Sequence, residues 1–453
     1  MRVWLPMGYT WREHGAYLLL FLFPLAALTV QHWLSTIFTL LCLASLFALR
    51  GRQCTLSRAE RNFLWLFAAL FVAFVVSNVV NGWGEDQTQS LGVEIRYLLF
   101  IPLYLYLRDQ PLAGPILLKG SLIGALVLGV QALYETLAAG GMRVEGAYGP
   151  LILGGFAVLL MAFSGVAWSA FRGSPWRWLT IPASLASWFA LTASGTRGAY
   201  LAAVAMLFLA VALRFHRRGG VLALFVSVGL VVGTYSASDV VSSRVDHAVN
   251  EVKGYFSLED PAAYEGRLSS SGARLELWRA GWLMFKEHPV LGVGSDNFRP
   301  YAAEQAAAGL VHHDMRDFSH AHNAYVHLLA EKGLLGAGLY IAVFAYAGWL
   351  FAAGVNISRR TAALGLLHVT GIAVLALTEA APAIKGNYVA LFLLYLGAFL
   401  AWHMRAIEAA ESSRPSTRPR GSLVKSLHDS RSKAMACSAS ADRSQQPLFR
   451  GRI

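Results

Sequence analysis

The chain reads as an all-α polytopic membrane protein, and three observations carry that reading. Of its 453 residues, 56% are hydrophobic and only 14% charged, against about 25% charged in an ordinary soluble domain. Apolar stretches of roughly the 20 residues that cross a bilayer as helix recur until about residue 405. Arginine gathers in alternate short connections between them, the bias that marks the cytoplasmic side. A net charge of +12 would suggest nucleic acid for a soluble protein, but here it shares the chain with membrane segments, and no nucleic-acid partner is expected. Cys42, Cys54 and Cys437 fall in an apolar run, a basic loop and the C-terminal tail. That scatter excludes both a disulfide framework and a CxxC metal site.

The apolar runs lie near 16–31, 33–49, 63–80, 97–107, 114–138, 148–171, 178–193, 199–215, 220–238, 333–353, 361–378 and 387–403. They predict about twelve membrane helices, because backbone in lipid must satisfy its own hydrogen bonds. With the N-terminus taken as cytoplasmic, the inside loops carry Arg50, Arg52, Arg58 and Arg61; Arg108 and Lys119; Arg172 and Arg177; Arg214, Arg217 and Arg218; and Arg359 and Arg360. The opposite connections are poorer in arginine: Gln31-His32, Gly84-Glu85-Asp86, the turn around Arg143, Ser194 to Gly198, and Glu379 to Asn387. The first run follows Arg2 and Arg12 and passes through a two-residue turn into the second, so it is expected to be a retained helix hairpin rather than a cleaved signal.

Four parts result: a bundle of about nine helices over 1–238, a mostly helical outer loop over 239–322, about three more helices over 323–405, and a tail over 406–453. The loop holds twelve acidic and eight basic residues, net −4, which leaves +16 for the rest. The tail turns to Ser, Arg, Pro and Ala, a composition that buries too little apolar surface to order itself. It is expected to be a disordered basic cytoplasmic extension, touching anionic headgroups through Arg418, Arg420 and Lys425.

The chemistry is narrowed first by what is missing. No GxxxxGK[ST], HExxH, GxSxG or Asp-x-Asp occurs, which leaves a pump, a zincin, a serine hydrolase and a metal-dependent nucleotide-sugar transferase unsupported. Attention falls on arginines and histidines of the outer face. Arg197 sits in Ser194-Gly195-Thr196-Arg197-Gly198, on the side where charge bias disfavours arginine. A snorkelling side chain is the plain alternative. Gly195 and Gly198 allow close backbone approach to a ligand, and a planar five-donor cation suits phosphate.

Arg274 opens a helix-like stretch in which Leu275, Trp278, Trp282 and Phe285 form one apolar stripe, as in a helix lying at the membrane interface. Glu276 and Arg279 are expected to make ordinary helix-surface contacts. The following His288-Pro289-Val290-Leu291-Gly292-Val293-Gly294 reads as a stop and turn.

The richest patch is Ser319-His320-Ala321-His322-Asn323, with His312 and His313 just upstream. A metal site is disfavoured, since no acidic or cysteine ligand stands at a recognisable spacing. Asn323 makes a good N-cap for the helix after it. His322 would then stand at a helix entrance, where an imidazole with an ordinary pKa of about 6.5 accepts a proton near neutral pH.

His322-Asn323, nine residues, Gly333, two residues and Gly336 resemble the H[NSQ]-x9-Gxx[GTY] signature of bacterial O-antigen ligases, within a wider group holding O-antigen polymerases and O-linking oligosaccharyltransferases. The stretches around Arg197 and from Arg274 to Gly294 also look like arginine-bearing stretches of that family, and the likeness is strongest from about 190 to 340. The resemblance implies a membrane glycosyltransferase fold of the GT-C type, multi-pass in the bacterial inner membrane with its active site facing the periplasm. It implies an undecaprenyl-diphosphate-linked O-antigen as donor and a sugar hydroxyl of lipid A-core as acceptor in lipopolysaccharide biosynthesis, with no cofactor and no metal. Carried over by motif, His322 takes the acceptor proton, Arg197 and Arg274 hold the diphosphate, and Asn323, His320, Gly195 and Gly198 support them.

Single displacement would invert the anomeric centre, and no carboxylate pair demands a covalent intermediate, though Asp296 and Glu379 lie on the same side. The protein is expected to act as a monomer among membrane lipids. The complete His-Asn-x9-Gly-x2-Gly match ranks a ligase above a polymerase or an oligosaccharyltransferase. From another class, a lipid-linked glycan flippase would show broken helices at mid-membrane and paired repeats, neither of which stands out.

Overall fold

The computed structural model describes residues 11–27, 29–49, 55–138, 143–237 and 239–413. Arg2, the loop residues Arg50, Arg52 and Cys54, and the tail from 414 onward lie outside the described residues. Within them the chain is helical throughout, with no strand assigned.

The membrane bundle begins with α1 (Trp11–Leu22) and α2 (Trp33–Ala48). The expected two-residue turn between them is longer, spanning 23–32, because α1 stops at Leu22. The Trp33 indole then closes the turn on the Leu22 carbonyl at 3.0 Å. α3 (Arg58–Val80) starts on a capping box: Ser57 accepts from the Glu60 N–H, and Glu60 accepts from the Ser57 N–H at 2.9 Å. α4 (Glu85–Asp109) places Glu85 and Asp86 in its first turn and Arg108 in its last, each complementing the helix dipole. It is therefore a full-length helix rather than the short run expected near 97–107. α5 (Ala113–Ala138), α6 (Pro150–Ala170, with proline at its first position) and α7 (Trp176–Ser194) follow.

α8 (Arg197–Ala237) joins the expected 199–215 and 220–238 segments in one run of 41 residues. Straight, it would extend about 62 Å at 1.5 Å per residue. Yet Arg197 touches Glu251 at 3.5 Å, and Glu251 lies only about 18 Å along α9 (Asp239–Phe256). α8 is therefore sharply bent, and no separate loop carries Arg214, Arg217 and Arg218.

The long outer segment continues with α10 (Ser270–Glu287), α11 (Phe298–Ala307) and a 3-10 turn over His313–Asp317. It has a small core of its own, built from Leu277, Ala280, Met284, Val293, Phe298 and Met315 among others. The last membrane helices are α12 (Ala324–Ala353) and α13 (Arg359–Thr378), then the short α14 (Ala381–Ile384) and α15 (Gly386–Ser412). The tail expected from 406 thus starts later, because α15 continues to Ser412.

Among the described residues eight helices are long and apolar enough to cross a membrane, four fewer than the expected twelve. The difference is made by α1 and α2, which are too short, by α7, whose Thr, Ser and Trp dilute its apolar character, and by the second arm of α8, whose side chains are not described.

α15 is the axis of the bundle and packs on α2, α4, α5 and α13. From Tyr388 to Ala401 every residue is buried, as a helix apolar on all faces requires. At one end of the bundle Glu60 accepts from Arg108 at 2.8 Å and from Tyr104 at 2.6 Å, and Arg108 also reaches Glu408. The 239–322 segment sits at the other end, called the loop end below.

Candidate functional site

The loop end is organised by a break in α12. Gly333 has φ +60° and ψ −166°, so two helical pieces meet there. The backbone groups freed by the break are taken up by the His288–Gly294 stretch. Val293 and Gly294 donate to the carbonyls of Ala330 and Glu331, and Leu334 donates to Pro289 at 2.8 Å. Gly292 lies against Glu331 and Lys332, and Gly333 against Val290 and Leu291, so closely that a Cβ on either would strike the other segment's backbone. The expected stop and turn is thus a strip docked into a broken helix, and the two glycines are required by backbone proximity and positive φ.

A buried polar junction fastens this splice. Lys332 donates to Glu94 at 2.6 Å and to Asn78 at 2.7 Å. Ser295 gives its hydroxyl to Glu94 at 2.6 Å and its N–H to Asn78 at 3.0 Å. Sequence reading assigned no role to Glu94 and Lys332; the available signal was an ionisable residue inside an apolar helix.

Four elements position the candidate residues around that frame. Asn323 caps α12 as expected, accepting from the N–H groups of Tyr325 and Val326 at 3.0 and 3.2 Å. Just before it, His322 adopts a left-handed backbone with φ 49°. Its Nδ1 lies 3.2 Å from Glu379 Oε2, at the end of α13. His320 Nδ1 is 3.9 Å from the other carboxylate oxygen and 3.4 Å from the His322 N–H. All three side chains are partly open to solvent, between 13% and 23% exposed.

Burial and the neighbouring His322 push the His320 imidazole down to about 4, so it is neutral near neutral pH. Burial works against the Glu379 charge. The hydrogen bond and the charge of His322, with His320 and the Ala380 N–H, outweigh it and hold the carboxyl below its usual range. A carboxylate only accepts hydrogen bonds, so His322 donates from Nδ1, and whenever the ring is neutral the lone pair is on Nε2.

Arg197 is the first residue of α8, after Gly195 in the left-handed conformation caps α7. Gly195 ends a helix, and the space a Gly198 side chain would need is filled by Thr378, which precedes Glu379. That packing carries Arg197 to the same mouth as Glu379. Its guanidinium is half exposed and pairs with Glu251, which also accepts from Ser271 of α10 at 2.6 Å.

Arg274 lies in the second turn of α10 rather than at its start, since Ser269 is the N-cap. Ser271, Arg274 and Trp278 share one face at spacings of three and seven. Ser271 reaches the Arg197–Glu251 pair, while Trp278 donates its indole N–H to the Ala321 carbonyl at 3.0 Å, next to His322. Arg274 is thereby framed between the other two groups, half-buried, and makes no ion pair or hydrogen bond among the described residues.

The core-facing side of α10 is formed by Leu277, Ala280, Gly281 and Met284, while Trp282 on the expected stripe is 53% exposed and Leu275, Trp278 and Phe285 are half-buried. Glu276 is not a surface residue. It is fully buried, accepts from the His312 N–H at 3.0 Å, and meets Arg279 at 3.4 Å. Asp296 accepts from Ser90.

A family model described as O-antigen ligase matches residues 182–341. These residues form an O-antigen ligase family domain. The O-antigen ligase match runs from within α7 to within α12. It includes Arg197, Arg274, His320, His322 and both glycines of the splice, and it leaves Glu379 outside. A Haemophilus influenzae protein described as uncharacterized is 23% identical over 329 residues, covering 70% of this chain and 80% of that protein. The O-antigen ligase domain and the helical bundle together make this a membrane-spanning glycosyl-transfer protein.

Proposed function

We propose that the protein transfers a glycan from an undecaprenyl-diphosphate carrier to a sugar hydroxyl of lipid A-core, at the periplasmic face of the bacterial inner membrane, within a GT-C type fold. What supports this reading is the His322–Glu379 pair, the packing of Thr378 against Gly198 beside Arg197, and the α10 face of Ser271, Arg274 and Trp278 that links the Arg197–Glu251 pair to the Ala321 carbonyl. Bond formation and bond breaking need opposite electrostatics, and the mouth supplies both. The acceptor hydroxyl attacks the anomeric carbon and gives its proton to His322 Nε2. Glu379 holds the ring in the required tautomer and stabilises the imidazolium that forms. A well-placed base of this kind contributes roughly 10²–10⁴ in rate.

The glycosidic C–O bond breaks as the new one forms, and charge builds on the departing undecaprenyl diphosphate. Arg197 and Arg274 neutralise it, in the place where other transferases use a divalent metal. Glu251 keeps the Arg197 guanidinium extended until the diphosphate competes for it. One displacement inverts the anomeric centre, and no metal takes part.

The test uses proteoliposomes with the purified chain, lipid-linked glycan and lipid A-core. Wild type glycosylates lipid A-core and His322→Ala loses at least about 10²-fold in rate while still binding donor. Transfer to a second lipid-linked repeat, or to protein, would assign a polymerase or an oligosaccharyltransferase instead. Substantial residual transfer by His322→Ala would remove it as the base.

A further inference from the structure

The carboxylate that the local sequence around the histidines lacks is supplied from 57 residues away. We propose that His320, His322 and Glu379 form a three-ligand Zn2+ site whose occupation switches off the His322 base. The ligand atoms fit such an ion. Zinc bonds of about 2.0–2.2 Å in tetrahedral geometry set neighbouring ligand atoms about 3.3–3.6 Å apart. Here His322 Nδ1 and His320 Nδ1 stand 3.2 and 3.9 Å from the two oxygens of Glu379, and one ligand atom from each residue lies within 4.8 Å of the others.

Two imidazoles and one carboxylate suit Zn2+, Cu2+ or Ni2+ and not Mg2+ or Ca2+, which prefer an all-oxygen shell. The partial exposure of all three side chains leaves a path for the ion and a fourth position for water. The backbone is already set. Asn323 fixes the helix start after His322, and the Ala380 N–H holds Glu379 Oε1 at 2.8 Å.

The consequence for transfer follows from proton bookkeeping and rests on the function proposed above. The neutral His322 ring carries one N–H. With Glu379 as partner that proton sits on Nδ1 and Nε2 is free. With Zn2+ on Nδ1 the proton moves to Nε2, which can no longer accept one from a hydroxyl. The ion also draws away the Glu379 charge that would stabilise an imidazolium.

The second cluster of possible ligands, His312, His313 and Asp314, provides a control. Unlike the partly exposed His320 and His322, His312 is fully buried and holds both ring nitrogens in internal contacts, with the Asp314 N–H at 3.1 Å and the Gly266 carbonyl at 3.0 Å.

The experiment uses the full chain without an affinity tag, in nanodiscs. Zn2+ binding is followed by calorimetry, and Co2+ is followed through the visible absorption of a tetrahedral site. Expected is one ion per chain, at least about tenfold weaker binding in His320→Gln, His322→Gln and Glu379→Gln, and no change in His313→Ala. In the proteoliposome assay Zn2+ should suppress transfer and EDTA restore it. Absence of stoichiometric binding, or binding indifferent to the three substitutions in variants that melt like wild type, would overturn the site. Binding without loss of transfer would overturn the switch. A chain that binds zinc but never transfers glycan, with or without EDTA, would count against the proposed function and leave the site standing.

Discussion

At the scale of single residues, the mouth is governed by what Glu379 does to His322. A carboxylate at 3.2 Å from Nδ1 selects one imidazole tautomer, so its role is positional. Glu379→Gln should lower kcat about 10²-fold with little change in KM for the lipid-linked donor, and Glu379→Asp should recover part of the loss. An unchanged kcat in Glu379→Gln would remove the pairing from the mechanism. The arginines make a different demand. Lysine keeps the charge but not the planar fork that holds two phosphate oxygens at once, so Arg197→Lys combined with Arg274→Lys should remain at least about tenfold slower than wild type. Full activity of that double variant would argue against paired diphosphate contacts.

Much at this scale was legible in the sequence. Asn323 is a cap because its short side chain reaches two N–H groups, and Arg197 was conspicuous as a cation where charge bias disfavours one. Glu379 was noticed only for its side of the membrane. Nothing local says that the connection after α13 closes onto the His320–His322 turn.

At the scale of elements, the splice between α12 and the 288–294 strip explains why glycine spacing accompanies the histidine. Gly333 bends the chain where the helix opens, and Gly292 lets the strip lie against the exposed carbonyls. Gly333→Ala meets both a left-handed backbone and the Val290 carbonyl. It should destabilise the protein by about 1–3 kcal/mol or more, seen as a lower melting temperature in detergent; an unchanged melting temperature would show that the strip can yield.

Elements were legible where their pattern was strong and local. α10 shows the limit, since its tryptophans drew notice away from the small residues Ala280 and Gly281 that pack against the core. The expected interface stripe and the buried stripe share the same helical period, and periodicity alone does not choose between them. α8 shows another limit. The arginine-rich stretch from Arg214 to Gly220 has the composition of a loop, yet it continues as helix.

At the scale of the whole molecule, the two ends of the bundle are chemically distinct. One carries the Glu60–Arg108–Glu408 ion cluster, and the other carries the small core and the candidate site. The proposed sidedness gives a direct expectation. After removal of the native cysteines, Ser257→Cys should react with a membrane-impermeant maleimide on intact spheroplasts. Ser412→Cys should react only after permeabilisation. The reverse pattern would put the site in the cytosol and end the proposed reaction. The membrane class was evident from composition, whereas the number of crossings was not, because an apolar run predicts where helix is allowed and not how far it continues.

The docked strip also decides where this molecule can be divided. The first turns of α12, up to Lys332, are bonded to the 288–294 backbone and, through Lys332, to Glu94 and Asn78. Leu334 and Leu335 also donate to Pro289 and Val290, so a graft of the outer segment from a relative should keep residues through 335 with the donor, together with their partners on α3 and α4. A chimera joined at Asn323 would part a helix from the peptide that mends it, although that seam looks natural in the linear chain.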